Sequence, residues 1–188
     1  MKKIAVLCKE GFEEIEALTP VDVLRRAGVH VDLVGMDQKE VTSSHQITIK
    51  MDCLFNDDLY QYDGVVIPGG LPGAINLRDD DRVIEIVKDF YEKGKLVSAI
   101  CAGPIVLAKA GILKDKICTC SPGFETQLTG ANYQEAIVQK DDHIITGKGP
   151  AAALEFGYTI LESLGYDSSN LRQGMQYEYL MNVEAHKE

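Results

Sequence analysis

The chain has 188 residues, of which 45% are hydrophobic and 26% charged, as in an ordinary soluble globular protein. Its formal net charge of −10 argues against binding nucleic acid or an anionic membrane through bulk electrostatics. No apolar run approaches membrane-spanning length, and five cysteines without a secretion signal argue against a disulfide scaffold. We therefore expect a cytoplasmic protein with a single domain over residues 1–188.

Strand-like and helix-like segments alternate along the chain. Strands are predicted at 3–7, 29–34, 62–67, 96–100 and 116–119, and helices at 13–27, 81–92, from 102 onward, 149–164 and after 167. Segments 41–42 and 47–49 are predicted to form a small edge hairpin, and a second hairpin turns at 141–142. This alternation predicts an α/β fold with a doubly wound, mostly parallel sheet flanked by helices, and with ligands at the carboxyl ends of its strands.

Cys101 follows a buried strand and precedes a helix, with no residues left over for a loop. A tight turn there places the sulfur at the carboxyl edge of the sheet, above a helix N-terminus, as in a nucleophile elbow. The helix dipole and nearby backbone N–H groups are then expected to lower the pKa of the thiol. The alternative is a buried structural cysteine, because free cysteines are often buried as small hydrophobes.

Glu16 falls on the apolar side of the first predicted helix, flanked by Ile15 and Leu18. A carboxyl in an apolar pocket stays protonated, so it could donate a hydrogen bond to a thiolate and transfer protons. The alternative is that Glu16 simply belongs to the acidic first turn that a helix dipole favours. Since Pro20 lacks an N–H, we also expect this helix to bend or to begin late.

The segment Pro68-Gly69-Gly70 directly follows a predicted strand, and its glycines allow backbone N–H groups to approach a ligand closely. The N–H groups of Gly70 and Ala102 could together form an oxyanion hole for a substrate carbonyl. An ordinary glycine turn would explain the segment almost as well. The sequence has neither the GxGxxG nor the GK[ST] pattern of phosphate-binding loops.

A histidine base beside the cysteine is not predicted, because no histidine lies near Cys101 in sequence. The four histidines are His30, His45, His143 and His186. Of these, His45 lies in the edge hairpin and could reach a pocket of its own or a partner subunit. Cys118 and Cys120 share one face of a strand, but their spacing and lack of partner ligands do not predict a metal site.

Taken together, six segments resemble the ThiJ/PfpI family of the class I glutamine amidotransferase-like superfamily, and within it the Parkinson's-associated deglycase branch. They are Glu13-Glu14-Ile15-Glu16, residues 20–28, Pro68-Gly69-Gly70, Asn76-Leu77, residues 99–104 and Gly147-Lys148-Gly149-Pro150. The resemblance spans nearly the whole chain and implies a flavodoxin-like sandwich that forms a homodimer. It also implies glyoxalase- or deglycase-type activity without metal or organic cofactor.

The resemblance implies that Cys101 is the reactive cysteine, Glu16 its protonated partner, and Gly70 and Ala102 backbone donors. Two positions depart from the family pattern. Ala102 stands where the intracellular-peptidase branch has a histidine, which weakens a protease interpretation. Ser121 stands where the deglycase branch often has histidine or tyrosine, and a hydroxyl cannot act as a base near neutral pH.

Three functions remain open from the sequence. In the first, Cys101 attacks a small dicarbonyl or its adduct, such as a glycated substrate, and Glu16 transfers the proton. In the second, oxidation of Cys101 to sulfinate makes the protein a redox sensor or a redox-regulated chaperone. In the third, the protein is an amidase or peptidase whose histidine comes from elsewhere.

Overall fold

The computed structural model describes residues 1–182, which are organised around a seven-stranded sheet. Its strands are β1 (Lys3–Cys8), β2 (His30–Gly35), β5 (Cys53–Leu54), β6 (Gly64–Ile67), β7 (Leu96–Ile100), β10 (Val138–Asp141) and β11 (Ile144–Gly147). They lie in the order β10-β11-β7-β6-β1-β2-β5, and every neighbouring pair is parallel except β10 with β11. Two short pairs lie outside this sheet: β3 (Glu40–Thr42) with β4 (Thr48–Lys50), and β8 (Ile117–Cys118) with β9 (Asn132–Tyr133).

Helices cover both faces of the sheet. They are α1 (Glu14–Arg26), α2 (Gly73–Arg78), α3 (Asp81–Glu92), α4 (Pro104–Lys109), α5 (Ala153–Ser163), α6 (Ser169–Gly174) and α7 (Tyr177–Met181). None of the helices within residues 1–182 is long and apolar enough to cross a membrane.

The alternation of side chains along the strands divides the core into two layers. In β1, Ala5 and Leu7 pack with α2, α3 and α4 on one face, whereas Ile4 and Val6 pack with α1 and α5 on the other. The helices α1 and α5 approach closely at Gly157, where an added Cβ would lie 3.3 Å from the Cα of Pro20. Both faces are therefore buried, as expected for a parallel sheet.

The predicted fold class is confirmed: a mostly parallel sheet is flanked by helices in a flavodoxin-like arrangement. Strand 96–100 and helix 81–92 have the predicted bounds, and both hairpins form. Predicted strand 62–67 begins two residues late, at Gly64, and predicted strand 116–119 is shorter and pairs outside the main sheet. The frayed end predicted for the tail lies partly outside the described residues, as does His186.

The expectation that Pro20 delays the start of α1 is wrong. The helix is continuous from Glu14 to Arg26 with Pro20 inside it. Proline removes only one helical hydrogen bond, and the burial of the helix face against the sheet compensates for that loss.

Candidate active site

Cys101 occupies a tight turn between β7 and α4. Its backbone has φ +64°, a left-handed conformation that is uncommon for a residue with a side chain. Its N–H donates to the carbonyl of Gly147 at 2.9 Å, and its own carbonyl accepts the N–H of Ser121 at 2.9 Å. These bonds fix the turn and leave Cys101 partly exposed at the carboxyl edge of the sheet.

Glu16 is fully buried, although it is a charged residue in the first turn of α1. It lies on the face of α1 that carries Ala17, Pro20 and Val21 into the core. One carboxyl oxygen, Oε2, accepts the N–H of Gly69 at 2.8 Å. The other, Oε1, is buried without a hydrogen-bond partner among residues 1–182. A carboxylate with one oxygen unsolvated is costly, so this site favours the neutral acid.

The structure brings the side chains of Glu16 and Cys101 close together, near enough for each to shift the pKa of the other. Gly69 lies between the two groups and leaves room for them. A Cβ at Gly69 would lie 2.6 Å from Glu16 Oε2 and 2.8 Å from Cys101 Cβ, distances that real contacts do not show. The glycine is therefore required for the approach of the two side chains.

Burial raises the cost of ionising both groups, and the charge of Glu16 adds to that cost for Cys101. Burial raises the pKa of Glu16 to about 7, although hydrogen bonds from Cys101 and Gly69 oppose the shift. Burial, and then the nearby charge of Glu16, raise the pKa of the Cys101 thiol to about 12. Between these values the pair carries one negative charge and one proton, which the contact allows the two groups to exchange.

The expected neutral carboxyl thus agrees with the raised pKa of Glu16, whereas the expected lowering of the thiol pKa is wrong. The sequence prediction considered the backbone donors but not the burial of the sulfur or the charge of Glu16. Two donors do favour the thiolate: the Ser121 hydroxyl and the Ala102 N–H near the sulfur both lower the pKa of the thiol. When Glu16 holds the proton, its charge no longer opposes the thiolate, and these donors remain.

Gly70 follows the glycine that separates the pair. Its φ of +85° and the 2.3 Å between an added Cβ and the Glu13 nitrogen leave room for glycine only. No acceptor within residues 1–182 takes the Gly70 N–H, which is therefore free for a ligand. An oxyanion hole built from Gly70 and Ala102 remains a prediction that this geometry permits.

Ser121 lies beside the sulfur of Cys101, whereas His45 lies beside Glu13 and Glu14 at the start of α1. Ser121 contacts the sulfur of Cys101 through its side chain, a contact that the sequence alone left open. His45 instead pairs with α1, with Nδ1 3.0 Å from Glu14 Oε1 and 3.5 Å from Glu13 Oε2. The hydrogen bond to Glu14 raises the pKa of His45.

Sequence reasoning did not find the cluster of Glu13, Glu14 and His45, because β3 and β4 bring His45 to the helix. Within residues 1–182 it is the one group of His, Cys, Asp and Glu side chains whose ligand atoms converge enough to hold a metal ion, all within 4.8 Å of one another. The chemistry proposed below does not use it, and the predicted absence of a metal stays a prediction.

The other four cysteines lack a comparable setting. Burial raises the pKa of the Cys118 thiol to about 11 and that of Cys120 to about 12, and it also raises those of Cys8 and Cys53. A raised thiol pKa therefore does not distinguish Cys101. What distinguishes it is partial exposure combined with a carboxyl partner and two donors to the sulfur.

The fold and the site define a flavodoxin-like α/β protein with a cysteine at a strand-to-helix turn. The chain belongs to the DJ-1/PfpI family, whose family model matches residues 2–163. The family assignment made from the sequence is confirmed.

Relatives and solved structures agree with this assignment. Parkinson disease protein 7 homolog of Danio rerio is 41% identical over 169 residues, covering 87% of this chain and 89% of the relative. Glutathione-independent glyoxalase DJR-1.2 of Caenorhabditis elegans is 35% identical over 164 residues, covering 86% and 87%. The crystal structure of Drosophila melanogaster DJ-1beta has a TM-score of 0.88 at 33% identity, covering 93% of this chain and 97% of that one.

Proposed function

We propose that this protein is a cofactor-independent cysteine enzyme that converts small dicarbonyls, or their adducts on a glycated substrate, to hydroxy acids. The observation that carries the proposal is the contact between the Cys101 thiol and the buried Glu16 carboxyl at the carboxyl edge of the sheet. The C. elegans relative, whose name describes a glyoxalase that needs no glutathione, supports the same activity here.

Glu16 is suited to act as the base in the first step. Its pKa of about 7 leaves it largely ionised slightly above neutral pH, where a base of that strength is most effective. The sulfur adds to the aldehyde carbon, the thiol proton passes to Glu16, and the carbonyl electron pair moves onto oxygen. The backbone N–H groups of Gly70 and Ala102 are the donors for that oxygen, which then takes the proton from Glu16.

The second stage is an internal oxidation and reduction. A proton leaves the former aldehyde carbon and is delivered to the neighbouring carbonyl carbon, with Glu16 as the carrier, while the hydroxyl proton of the hemithioacetal passes to the neighbouring carbonyl oxygen. The first carbon is thereby oxidised to a thioester and the second reduced to an alcohol, so no external oxidant is consumed. Water then hydrolyses the thioester, releasing lactate from methylglyoxal or glycolate from glyoxal and regenerating the Cys101 thiol.

The test is methylglyoxal consumption by purified wild-type protein and by Cys101→Ser. We expect lactate formation by the wild type and a loss of at least about 100-fold in kcat for the variant, because a hydroxyl is a far weaker nucleophile. Cys53→Ser, which changes the other partly exposed cysteine, is the matched control and should keep full activity. Undiminished turnover by Cys101→Ser would overturn the proposal.

Oxidation of Cys101 is the second candidate function. The Ser121 hydroxyl and the Ala102 N–H that face the sulfur could equally donate to sulfinate oxygens. Mass spectrometry after mild peroxide should then find two added oxygens on Cys101 before any other cysteine changes. Equal oxidation of all five would contradict a sensor role. A peptidase receives no comparable support, since no histidine in residues 1–182 hydrogen-bonds to Cys101.

The proposal also includes the remaining expectations from the sequence. These are a cytoplasmic location, a role in protection against reactive carbonyls, assembly as a homodimer and a single domain over residues 1–188. Sedimentation of the wild type and of α1 variants tests the oligomeric state.

A further inference from the structure

An apolar pocket of about 250 Å³ opens next to the site. It is lined chiefly by Ser121, Pro122, Ile137, Pro150, Ala151 and Ala152. The side chain of Ile137 is notable, because the residue remains 55% exposed although it is large and apolar. Lys148, which also lines the pocket, has its ammonium paired with Glu135. The wall is therefore apolar, with no free positive charge from Lys148.

Of the three segments that line this pocket, one is hydrogen-bonded to Cys101 directly, and another begins just after a residue that is. The Ser121 N–H donates to the Cys101 carbonyl at 2.9 Å, and the Ser121 hydroxyl contacts the sulfur. On the other side, the Cys101 N–H donates to Gly147 at 2.9 Å, just before the segment that contributes Pro150 and Ala151. Ser121 thus belongs both to the wall of the pocket and to the surroundings of the sulfur.

The size and chemistry of the pocket limit what it can hold. An apolar cavity of about 150 Å³ is large enough for benzene, so about 250 Å³ accommodates a phenyl ring or a short alkyl chain. Transferring such a group from water onto Ile137 and the prolines is favourable, whereas a hydrogen atom in its place gains nothing. The pocket therefore discriminates between dicarbonyls by their substituent.

We propose that this pocket is the specificity site of the enzyme and binds the hydrocarbon substituent of an α-oxoaldehyde whose aldehyde carbon reacts with Cys101. The substrate class is accordingly alkyl- or aryl-substituted oxoaldehydes in preference to glyoxal. This inference rests on the proposed function for its chemistry and adds the identity of the substituent and of the residues that select it.

The experiment compares kcat/KM for phenylglyoxal and glyoxal in the wild type and three variants. Ile137→Thr keeps a β-branched side chain but makes the wall polar, and Ala151→Leu fills the pocket. Ile117→Thr makes the same change at another exposed isoleucine that does not line the pocket and is the matched control. Comparing ratios between variants cancels the different intrinsic reactivities of the two aldehydes.

We expect Ile137→Thr to lower the phenylglyoxal-to-glyoxal ratio by about 10-fold, the lower end of the range known for small changes in apolar pockets. Ala151→Leu should lower it further, while glyoxal turnover and the control variant remain unchanged. A second readout does not require turnover. The ratio of the rates at which phenacyl bromide and bromoacetone alkylate Cys101 should fall in the pocket variants, as the turnover ratio does.

Unchanged ratios in both pocket variants, in turnover and in alkylation, overturn the inference while leaving the proposed function intact. An altered oligomeric state of Ile137→Thr with an unaltered ratio overturns it as well, because the pocket is then a docking face for a second copy of the chain. Failure of the proposed function is recognised separately, by full activity in Cys101→Ser.

Discussion

Among the charged residues of segment 1–182, Glu16 is the most deeply buried. It is buried at 0% exposure, has one unpartnered oxygen and contacts a thiol, and burial raises its pKa to about 7. Burying this carboxyl lowers the stability of the folded protein, and the same burial gives the carboxyl a pKa suited to proton transfer. The unfolded chain ionises freely at neutral pH, whereas the folded chain must bury that charge.

This cost should be visible in Glu16→Gln. Because the folded pKa of Glu16 is raised from 4.5 to about 7, its contribution to stability is greatest below about pH 4.5 and is lost as the pH rises through 7. The difference in unfolding free energy between variant and wild type should therefore shift in favour of the variant by about 3 kcal/mol between pH 4.5 and 8. Urea unfolding at the two pH values measures it. Glu92→Gln, an exposed control, should show no such change, and a constant difference for Glu16→Gln would contradict the account.

Gly69 is the residue that keeps the pair together. In Gly69→Ala the added Cβ would lie under 3.0 Å from Glu16 Oε2, Cys101 Cβ and the Ala102 nitrogen, so the groups must separate. A displacement of about 1 Å can cost about 100-fold in rate, and we expect a loss of that size in methylglyoxal turnover. Gly174→Ala, where an added Cβ meets nothing within 4 Å, is the control. Full activity in Gly69→Ala would show that the contact is dispensable.

Among the elements, α3 begins at an ion-pair network below the site. Asp80 caps the helix by accepting the Arg82 N–H at 3.0 Å, and it also pairs with Lys9 at 2.7 Å. Burial alone would raise the pKa of Asp80, but hydrogen bonds from Arg82 and Lys9 hold it at about 2. Asp80 therefore stabilises the fold above about pH 4, and this stabilisation is lost as the pH falls towards 2.

Removing this side chain should destabilise the protein. We expect Asp80→Ala to cost roughly 2–3 kcal/mol at pH 7, from the lost cap and the lost ion pairs with Lys9 and Arg82, which keep only the exposed Asp37 as a partner. Asp80→Asn retains the capping oxygen and should cost less. Urea unfolding at pH 7 and pH 3 gives both values, and the cost should shrink at the lower pH. An Ala variant as stable as the Asn variant would contradict the role of the cap.

Periodicity identified long elements well and short ones poorly. Helix α3 was predicted with its observed bounds because four apolar residues, Val83, Ile86, Val87 and Phe90, repeat at helical spacing along it. The six-residue α2 and the two-residue β9 were not predicted, since segments this short carry too little pattern. The pairing of β9 with β8 depends on contacts outside the main sheet, which a local pattern does not encode.

The site was predictable to the same extent as the elements that carry it. The turn at Cys101 and the inward position of Glu16 follow from local patterns, and the structure shows both. The pKa of the thiol does not follow from a local pattern, because it depends on the burial of the sulfur and on the charge of Glu16, which lies on another element. The contact of Ser121 with the sulfur likewise arises only when the loop after β8 folds back over Cys101.

For the whole molecule, seven strands drawn from between Lys3 and Gly147 form the main sheet, and each of its two faces has a continuous core. This arrangement supports a single domain. On the outer face of α1, two neighbouring apolar residues, Ile15 and Leu18, remain 49% and 36% exposed. Apolar side chains grouped in this way are typical of an interface.

We therefore predict that the protein sediments as a homodimer, with twice the 20.7 kDa mass of the chain. Ile15→Lys combined with Leu18→Lys should shift it towards the monomer, because two charges would be buried unpaired at the interface. The control Ile117→Lys, at an exposed isoleucine away from α1, should sediment as the wild type. A monomeric wild type would contradict the predicted assembly.

Proton sharing between Cys101 and Glu16 underlies both the chemistry and the stability cost, and the pH dependence of Cys101 alkylation tests it most directly. Iodoacetamide modification of wild type should rise through an inflection near pH 7, as Glu16 becomes able to take the thiol proton. In Glu16→Gln that inflection should be absent. Identical pH profiles for the two proteins would show that the carboxyl has no part in the reactivity of the sulfur.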